Sequence, residues 1–150
     1  MEATPKILEQ HRVDTVILAC IDFRFREGLT PAIREAFNID AWDEIKLAGG
    51  AKNISMPGKD SRREAVLDDL NLAVAAHHAN TIILLNHQNC GKYASEGNTF
   101  DDRGTEHAFH EKELKEAGNV ARQKFSNIKI LLGYAYVDPT NAVRIEKIEP

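Results

Sequence analysis

Two uninterrupted apolar runs, at residues 16–19 and 81–86, constrain this chain more than any other feature. Strands that are apolar on both faces are typical of a parallel sheet covered by helices on both sides. Each run is followed at once by a polar motif containing a cysteine, at residues 20–24 and 87–91. Because open sheets of this kind bind ligands at the carboxyl ends of their strands, the two motifs are predicted to meet at one edge.

The rest of the sequence alternates between strand and helix patterns. Strands are predicted over residues 13–20, 42–47, 81–86 and 128–137, and a turn at 138–141 leads to a last strand over 142–148. Helices are predicted from a Thr30-Pro31 start to Phe37, from a capping box at Ser61 to residues 78–80, and over residues 105–125. Loops are predicted over residues 50–60 and 92–103. The second segment could alternatively form a broken helix. This order favours an α/β fold, with a mostly parallel central sheet of about four strands, flanking helices and a C-terminal antiparallel edge strand.

Composition excludes several classes of function. A chain of 150 residues with 43% apolar content is expected to form a single domain over residues 1–150. The net charge of −4, without a basic cluster, does not favour nucleic acid or an anionic membrane surface as partner. No apolar stretch approaches the about 18 residues of a membrane span. The N-terminus has no signal-peptide core, so we expect a cytoplasmic, reducing location, where cysteines near a histidine more often indicate metal binding or catalysis.

The two motifs together contain a candidate zinc site. Cys20, His87 and Cys90 are a complete three-ligand set that leaves the fourth position to water, as in catalytic zinc sites. Water in that position loses a proton near neutral pH and becomes a nucleophilic hydroxide. The alternative is two buried free thiols and a capping histidine.

Asp22 and Arg24 stand two and four residues beyond the first cysteine. Asp22 could accept a hydrogen bond from the zinc hydroxide and orient it, or it could occupy the fourth zinc position itself. Arg24 would hold Asp22 ionised, since a paired guanidinium favours the charged carboxylate. The alternative is a structural ion pair at the end of a strand.

The pattern Cys-x-Asp-x-Arg after the first strand, with His-x-x-Cys-Gly after the third, resembles the β-class carbonic anhydrases, zinc enzymes that hydrate carbon dioxide to bicarbonate. Residues 47–51 look like the Ala-Gly loop of that family, and residues 132–138 are similar to its C-terminal strands. The resemblance covers roughly residues 13–148. It implies that Cys20, His87 and Cys90 bind Zn²⁺.

The resemblance also implies roles for other residues. Asp22 and Arg24 correspond to the catalytic dyad of the family. Substrate-binding positions are implied at Gly49, Gly50 and Gly91, although the first two could simply form a tight turn. The implied substrates are carbon dioxide and bicarbonate, and the implied assembly is at least a homodimer.

The chain departs from the family pattern at several positions. Ile21 and Phe23 replace small polar residues, the 88–89 pair is Gln-Asn, Lys92 replaces a glycine, and the N-terminal helices that embrace a partner subunit are expected to be missing. These departures leave two alternatives, hydrolysis of carbonyl sulfide or carbon disulfide, and a non-catalytic zinc-binding scaffold. A nucleotide-binding domain is disfavoured because no Gly-x-Gly-x-x-Gly follows the first strand.

Two further histidines, His107 and His110, lie in the segment after the second motif. Either could carry protons to buffer, but the interpretation we favour is that both are solvated helix residues.

Overall fold

The computed structural model describes residues 1–3, 5–56 and 60–150. Its strands are β1 (Thr15–Ala19), β2 (Asp43–Lys46), β3 (Thr81–His87), β4 (Lys129–Val137) and β5 (Val143–Ile148). Its α-helices are α1 (Arg26–Phe37), α2 (Lys52–Ser55), α3 (Asp60–Ala76), α4 (Gly91–Ser95) and α5 (Arg103–Lys124). Two 3₁₀ turns, Lys6–Glu9 and Phe23–Phe25, precede β1 and α1. Within these described ranges, no helix is long and apolar enough to cross a membrane.

The strands form one sheet in the order β2-β1-β3-β4-β5. The first four are parallel and β5 pairs antiparallel with β4, which confirms the predicted fold class. β1 lies directly beside β3, with Leu18 paired to Leu84. The carboxyl ends of these two strands, which carry the two motifs, are therefore neighbours.

Both faces of the sheet are covered, as the apolar runs predict. Val16 and Leu18 face a core that includes side chains from α3 and α5, while Ile17 and Ala19 face the core under α1. All residues of β1 are buried. Each large apolar side chain buried in this way contributes roughly 1.5–3 kcal/mol, so the sheet is a firm base for the residues that follow its strand ends.

Helix α1 begins at Arg26, four residues before the start predicted at Thr30. The side chain of Asp22 accepts a hydrogen bond from the backbone N–H of Arg24 and starts the second 3₁₀ turn, which continues directly into α1. Pro31 consequently lies inside the helix rather than at its first position, where it leaves one backbone carbonyl without an intrahelical donor.

Three other helix starts differ from the predictions. The predicted loop over 50–60 contains the short helix α2, and residues 57–59 of that prediction lie outside the described residues. Helix α3 begins one residue before Ser61, so Ser61 is not its N-cap. Helix α5 is capped by Asp102, whose carboxylate accepts the Thr105 N–H at 2.7 Å, so the predicted start was two residues late.

Candidate metal centre

The ends of β1 and β3 bring together the three predicted metal ligands. Cys20 directly follows β1, His87 is the last residue of β3, and Cys90 immediately precedes α4. Their ligand atoms all lie within 4.8 Å of one another, and the two sulfur atoms are 3.9 Å apart. Zn–S bonds of about 2.3 Å in a tetrahedral arrangement place two sulfurs about 3.8 Å apart, so the spacing fits zinc. Both cysteines are free thiols.

The hydrogen bonds of His87 leave one ring nitrogen available to a metal. Nδ1 lies 2.7 Å from the carbonyl oxygen of Gln88, and because a carbonyl can only accept, Nδ1 must carry the proton. Nε2 is therefore an acceptor, and it is buried without a hydrogen-bond partner in the described residues. An unsatisfied buried polar atom costs about 1–3 kcal/mol. A metal ion bound at Nε2 would remove that cost.

The two thiols lie in contact with each other, and their surroundings differ. The Gly49 N–H donates to the Cys20 sulfur at 3.3 Å. The hydrogen bond between the sulfurs lowers the pKa of Cys20, and the same contact raises the pKa of Cys90. Since zinc binds thiolates, a metal ion held by both sulfurs would displace the protons that remain on them.

Asp22 lies beside this centre, held by Arg24. The guanidinium donates from Nε to Oδ1 at 3.0 Å and from Nη2 to Oδ2 at 2.6 Å. These hydrogen bonds hold the pKa of Asp22 below its usual value. Asp22 Oδ2 is 3.8 Å from His87 Nε2, yet Asp22 is not one of the residues whose ligand atoms cluster within 4.8 Å. The structure thus places Asp22 next to the three ligands rather than among them.

Asn89 and Glu106 join this arrangement; from the sequence, Asn89 was noted only as a departure from the family pattern and Glu106 was not noted. Asn89 accepts two hydrogen bonds from Arg24, at Oδ1 (2.9 Å) and at its carbonyl oxygen (2.8 Å). Its own N–H donates to Glu106 Oε2 at 2.8 Å. The position of Asn89 between two ligands is a signal that could have found it. Glu106 lies on α5, far along the chain, and carries no comparable signal.

The three predicted substrate-binding glycines have different surroundings. Gly49 and Gly50 both have positive φ, and the Gly50 N–H donates to the Leu47 carbonyl at 2.9 Å. Since the Gly49 N–H donates to the Cys20 sulfur, the backbone N–H groups of Gly49 and Gly50 both have hydrogen-bond acceptors within the protein. Gly91 borders open space, because a Cβ added there would meet nothing within 4 Å. The substrate-binding role of these glycines stays a prediction.

A cleft of about 430 Å³ opens beside the centre. Its lining includes Arg24, Asn89, Cys90, Gly91 and Glu106. The cleft therefore reaches the candidate centre at Cys90, whereas Cys20 and His87 do not line it.

The interpretation of His110 as a solvated residue was wrong. His110 is fully buried on α5, where its ring stacks on Tyr134 and Asn86 Nδ2 lies 3.3 Å from its Nδ1. Burial lowers its pKa to about 4. His107 is about one-third exposed and pairs with Glu146 at 2.6 Å. The sequence pattern could not separate the two because α5 is polar on most of its faces.

The fold, with its Cys-His-Cys cluster at the strand ends, is of the β-carbonic-anhydrase type. The chain belongs to the family described as "Putative carbonic anhydrase", whose model matches residues 10–148. This confirms the resemblance seen in the two motifs.

Individual relatives are distant. An uncharacterized protein from Rickettsia bellii is 23% identical over 80% of this chain and 74% of its own length. Among solved structures, the carbonic anhydrase from Streptococcus mutans is 14% identical with a TM-score of 0.58, covering 93% of this chain and 84% of that one. A carbon disulfide hydrolase is 13% identical with a TM-score of 0.52, covering 89% and 78%. One of two tetrameric β-carbonic anhydrases from Sordaria macrospora is 15% identical with a TM-score of 0.51, covering 97% and 85%. At these identities the structures share the fold.

Proposed function

We propose that this protein is a zinc-dependent carbonic anhydrase that catalyses the reversible hydration of carbon dioxide to bicarbonate. The observation that carries the proposal is the cluster of Cys20, His87 and Cys90, with the buried, unpartnered Nε2 of His87 at its centre. These three residues would hold the ion, and the two thiolates would balance its charge. Bound zinc would supply a nucleophile by bringing the pKa of a water ligand close to neutral.

Asp22 would orient that nucleophile. A carboxylate accepts hydrogen bonds and donates none, so it fixes which way a neighbouring O–H points. Arg24 lowers the pKa of Asp22 and therefore keeps it an acceptor through the neutral pH range. The proposed role is supported by the 3.8 Å distance between Asp22 Oδ2 and His87 Nε2, one of the three proposed ligand atoms.

The cleft beside Cys90 would admit carbon dioxide and release bicarbonate. Gly91 leaves room at the mouth of the centre, and we propose that Gly49 and Gly50 bring backbone close to the substrate. This part of the proposal is supported by the open space at Gly91 and the tight loop at Gly49–Gly50.

We further propose at least a homodimer in the cytoplasm. Ile21 and Phe23, the neighbours of Asp22, are 60% and 81% exposed, and a second copy covering them would bury apolar surface next to the centre. Two free thiols 3.9 Å apart also require a reducing compartment to stay unoxidised.

The test is stopped-flow carbon dioxide hydration from pH 6.5 to 9 on protein of measured zinc content. We expect a zinc-dependent rate, and we expect Asp22→Asn to retain zinc while losing activity roughly 10- to 100-fold. Asp138→Asn is the matched control, because Asp138 also pairs with an arginine, Arg144, but in the β4–β5 hairpin. Full activity in Asp22→Asn would refute the orienting role.

Hydrolysis of carbonyl sulfide or carbon disulfide is a second candidate, favoured by the fold shared with a carbon disulfide hydrolase. The same zinc-loaded protein, supplied with carbon disulfide and assayed for hydrogen sulfide, separates the two reactions. Full zinc occupancy with neither activity would indicate a non-catalytic scaffold.

A further inference from the structure

The guanidinium of Arg24 is held by hydrogen bonds to two residues, although the side chain is nearly half exposed. Its Nε and Nη2 bind Asp22, while Nη1 and Nη2 bind Asn89 at 2.9 and 2.8 Å. An exposed arginine–carboxylate pair alone is weak, because both side chains lose conformational freedom and water screens the charges. The two Asn89 acceptors therefore decide how well Arg24, and through it Asp22, is held.

Asn89 itself needs support. Its φ is 58°, a left-handed conformation that asparagine adopts more readily than other residues with a side chain, so its backbone conformation alone does not fix its position. The observed support is the hydrogen bond from its N–H to Glu106 Oε2 at 2.8 Å. A bond to an ionised acceptor is shorter and stronger than one between neutral groups.

Glu106 is well placed to provide this support. It lies in the first turn of α5, where a negative charge is favourable, and it is buried, with 8% exposure. Its Oε2 is also 4.0 Å from Nε2 of the buried His110. The carboxylate thus has a fixed position on a helix that packs against β3 and β4.

We infer that Glu106 is a positioning residue for the proposed reaction: it fixes the backbone of Asn89, which aligns Arg24 and thereby Asp22. The inference rests on the proposed function for its kinetic consequence, but the hydrogen-bonded chain from Glu106 to Arg24 exists independently of it. A residue that only stabilised the start of α5 would influence folding and leave the Arg24 guanidinium unaffected.

The first test follows Arg24 directly, without reference to activity. Nuclear magnetic resonance of the zinc-loaded protein can measure the exchange of the Arg24 Nε–H and the Asn89 N–H with water. We expect slow exchange at both positions in the parent and in Glu106→Gln, whose amide oxygen accepts the same bond. We expect fast exchange in Glu106→Leu. The matched control is Glu113→Leu, since Glu113 is a partly buried carboxylate on the same helix whose hydrogen bond goes to Ser55 instead.

The second test is kinetic. Glu106→Leu is expected to lower kcat roughly 10- to 100-fold with KM and zinc content unchanged, as outer partners of metal sites commonly do. Glu106→Gln should restore most of the rate and Glu113→Leu should keep it. Asn89→Gly tolerates the positive φ and retains both backbone contacts, so it isolates the loss of the Oδ1 acceptor and should give a smaller decrease. If Glu106→Leu does not fold, the parent still tests the proposal, because fast exchange of its Asn89 N–H would show that Glu106 does not hold that backbone.

The outcomes separate the two proposals. Slow Arg24 exchange and an unchanged kcat in Glu106→Leu would overturn the positioning role. The role would be overturned equally if Glu106→Leu lost zinc in proportion to rate, because Glu106 would then support the ligands. If the parent protein shows no carbon dioxide hydration, the proposed function fails, while the exchange measurement still decides whether Glu106 fixes Arg24.

Discussion

The buried His110 predicts that the folded protein loses stability as the pH falls below neutral. Its Nδ1 faces the Asn86 amide, and its Nε2 has no hydrogen-bond partner in the described residues. The groups facing it include Glu106 at 4.0 Å, while positive charge on His87 or His107 opposes its protonation. Burial is the largest cause of its low pKa, so the folded state keeps this ring neutral.

The size of this stability loss follows from the difference in the pKa of His110 between the folded and the unfolded chain. The pKa of His110 is about 4 in the folded chain, against an unfolded value of 6.5. Because the unfolded chain binds the proton more tightly, the full contribution to stability is present above pH 6.5 and is lost as the pH falls towards 4. Between pH 7 and pH 5 the loss is about 2 kcal/mol, and over the whole window it is about 3 kcal/mol.

The assay is urea denaturation of the parent and of His110→Phe at pH 7 and pH 5. Phenylalanine preserves an aromatic ring between Tyr93 and Tyr134 but cannot titrate. We expect the loss of unfolding free energy between the two pH values to be smaller in His110→Phe by about 2 kcal/mol. Acid-induced metal release lowers the unfolding free energy of the parent and of His110→Phe alike, so it cancels when their pH-dependent losses are compared. The exposed His11, replaced in His11→Gln, is the control that should retain the pH dependence of the parent. An equal pH dependence in the parent and in His110→Phe would show that the ring is not kept neutral by burial.

Two further predictions concern the loop and the metal. Gly50→Ala should destabilise the protein by about 1–2 kcal/mol because of its φ of 51°, and by more because an added Cβ would clash with the Leu85 carbonyl oxygen. Gly91→Ala should leave the melting temperature unchanged, and equal melting temperatures for the two variants would contradict the observed packing. Removal of zinc by a chelator should lower the melting temperature, since a ligand present at about 1,000 times its Kd stabilises by about 4 kcal/mol. Cys90→Ser should not respond to the chelator, and a parent protein that does not respond either would argue against a zinc centre.

The sequence predicted the sheet well because its signal is local. The apolar runs that form β1 and β3 are too regular for a loop and are bounded by polar motifs. The sequence therefore predicted both strands, and their apolar character on both faces predicted that they are parallel. The helix starts were less predictable. Asp22 accepts the Arg24 N–H and begins the 3₁₀ turn before α1, which outweighs the preference of Pro31 for a first helical position. This turn depends on the Asp22 side chain, for which the sequence predicted a catalytic role and not a helix-starting role.

The candidate site was predictable where its residues lie close in sequence to a strand end, and not where they come from a distant helix. The three predicted ligands and the Asp22–Arg24 pair lie within a few residues of two strand ends, so they meet once β1 and β3 are neighbours in the sheet. Glu106 and His110 come from α5, and only tertiary packing brings Glu106 to the loop between His87 and Cys90 and His110 to Asn86 on β3. A pattern of mostly polar residues on a helix does not show which of them is buried.

The departures at residues 88 and 89 bear on whether the centre is catalytic. Gln88 Oε1 accepts the N–H of Val137 at 3.1 Å and so ties the loop between the ligands to β4. Asn89 accepts two hydrogen bonds from Arg24 and so ties the same loop to the Asp22 carboxylate. A structural zinc site needs only its ligands held, and His87 and Cys90 are already fixed by β3 and α4. The additional bonds to Arg24 orient a carboxylate that lies outside the cluster of ligand atoms. Starting the 3₁₀ turn before α1 needs only the bond from the Arg24 backbone N–H to Asp22. The side-chain bonds from Arg24, and those that hold Arg24 on Asn89, go beyond that structural role, and they are what the proposed orientation of a nucleophile would require.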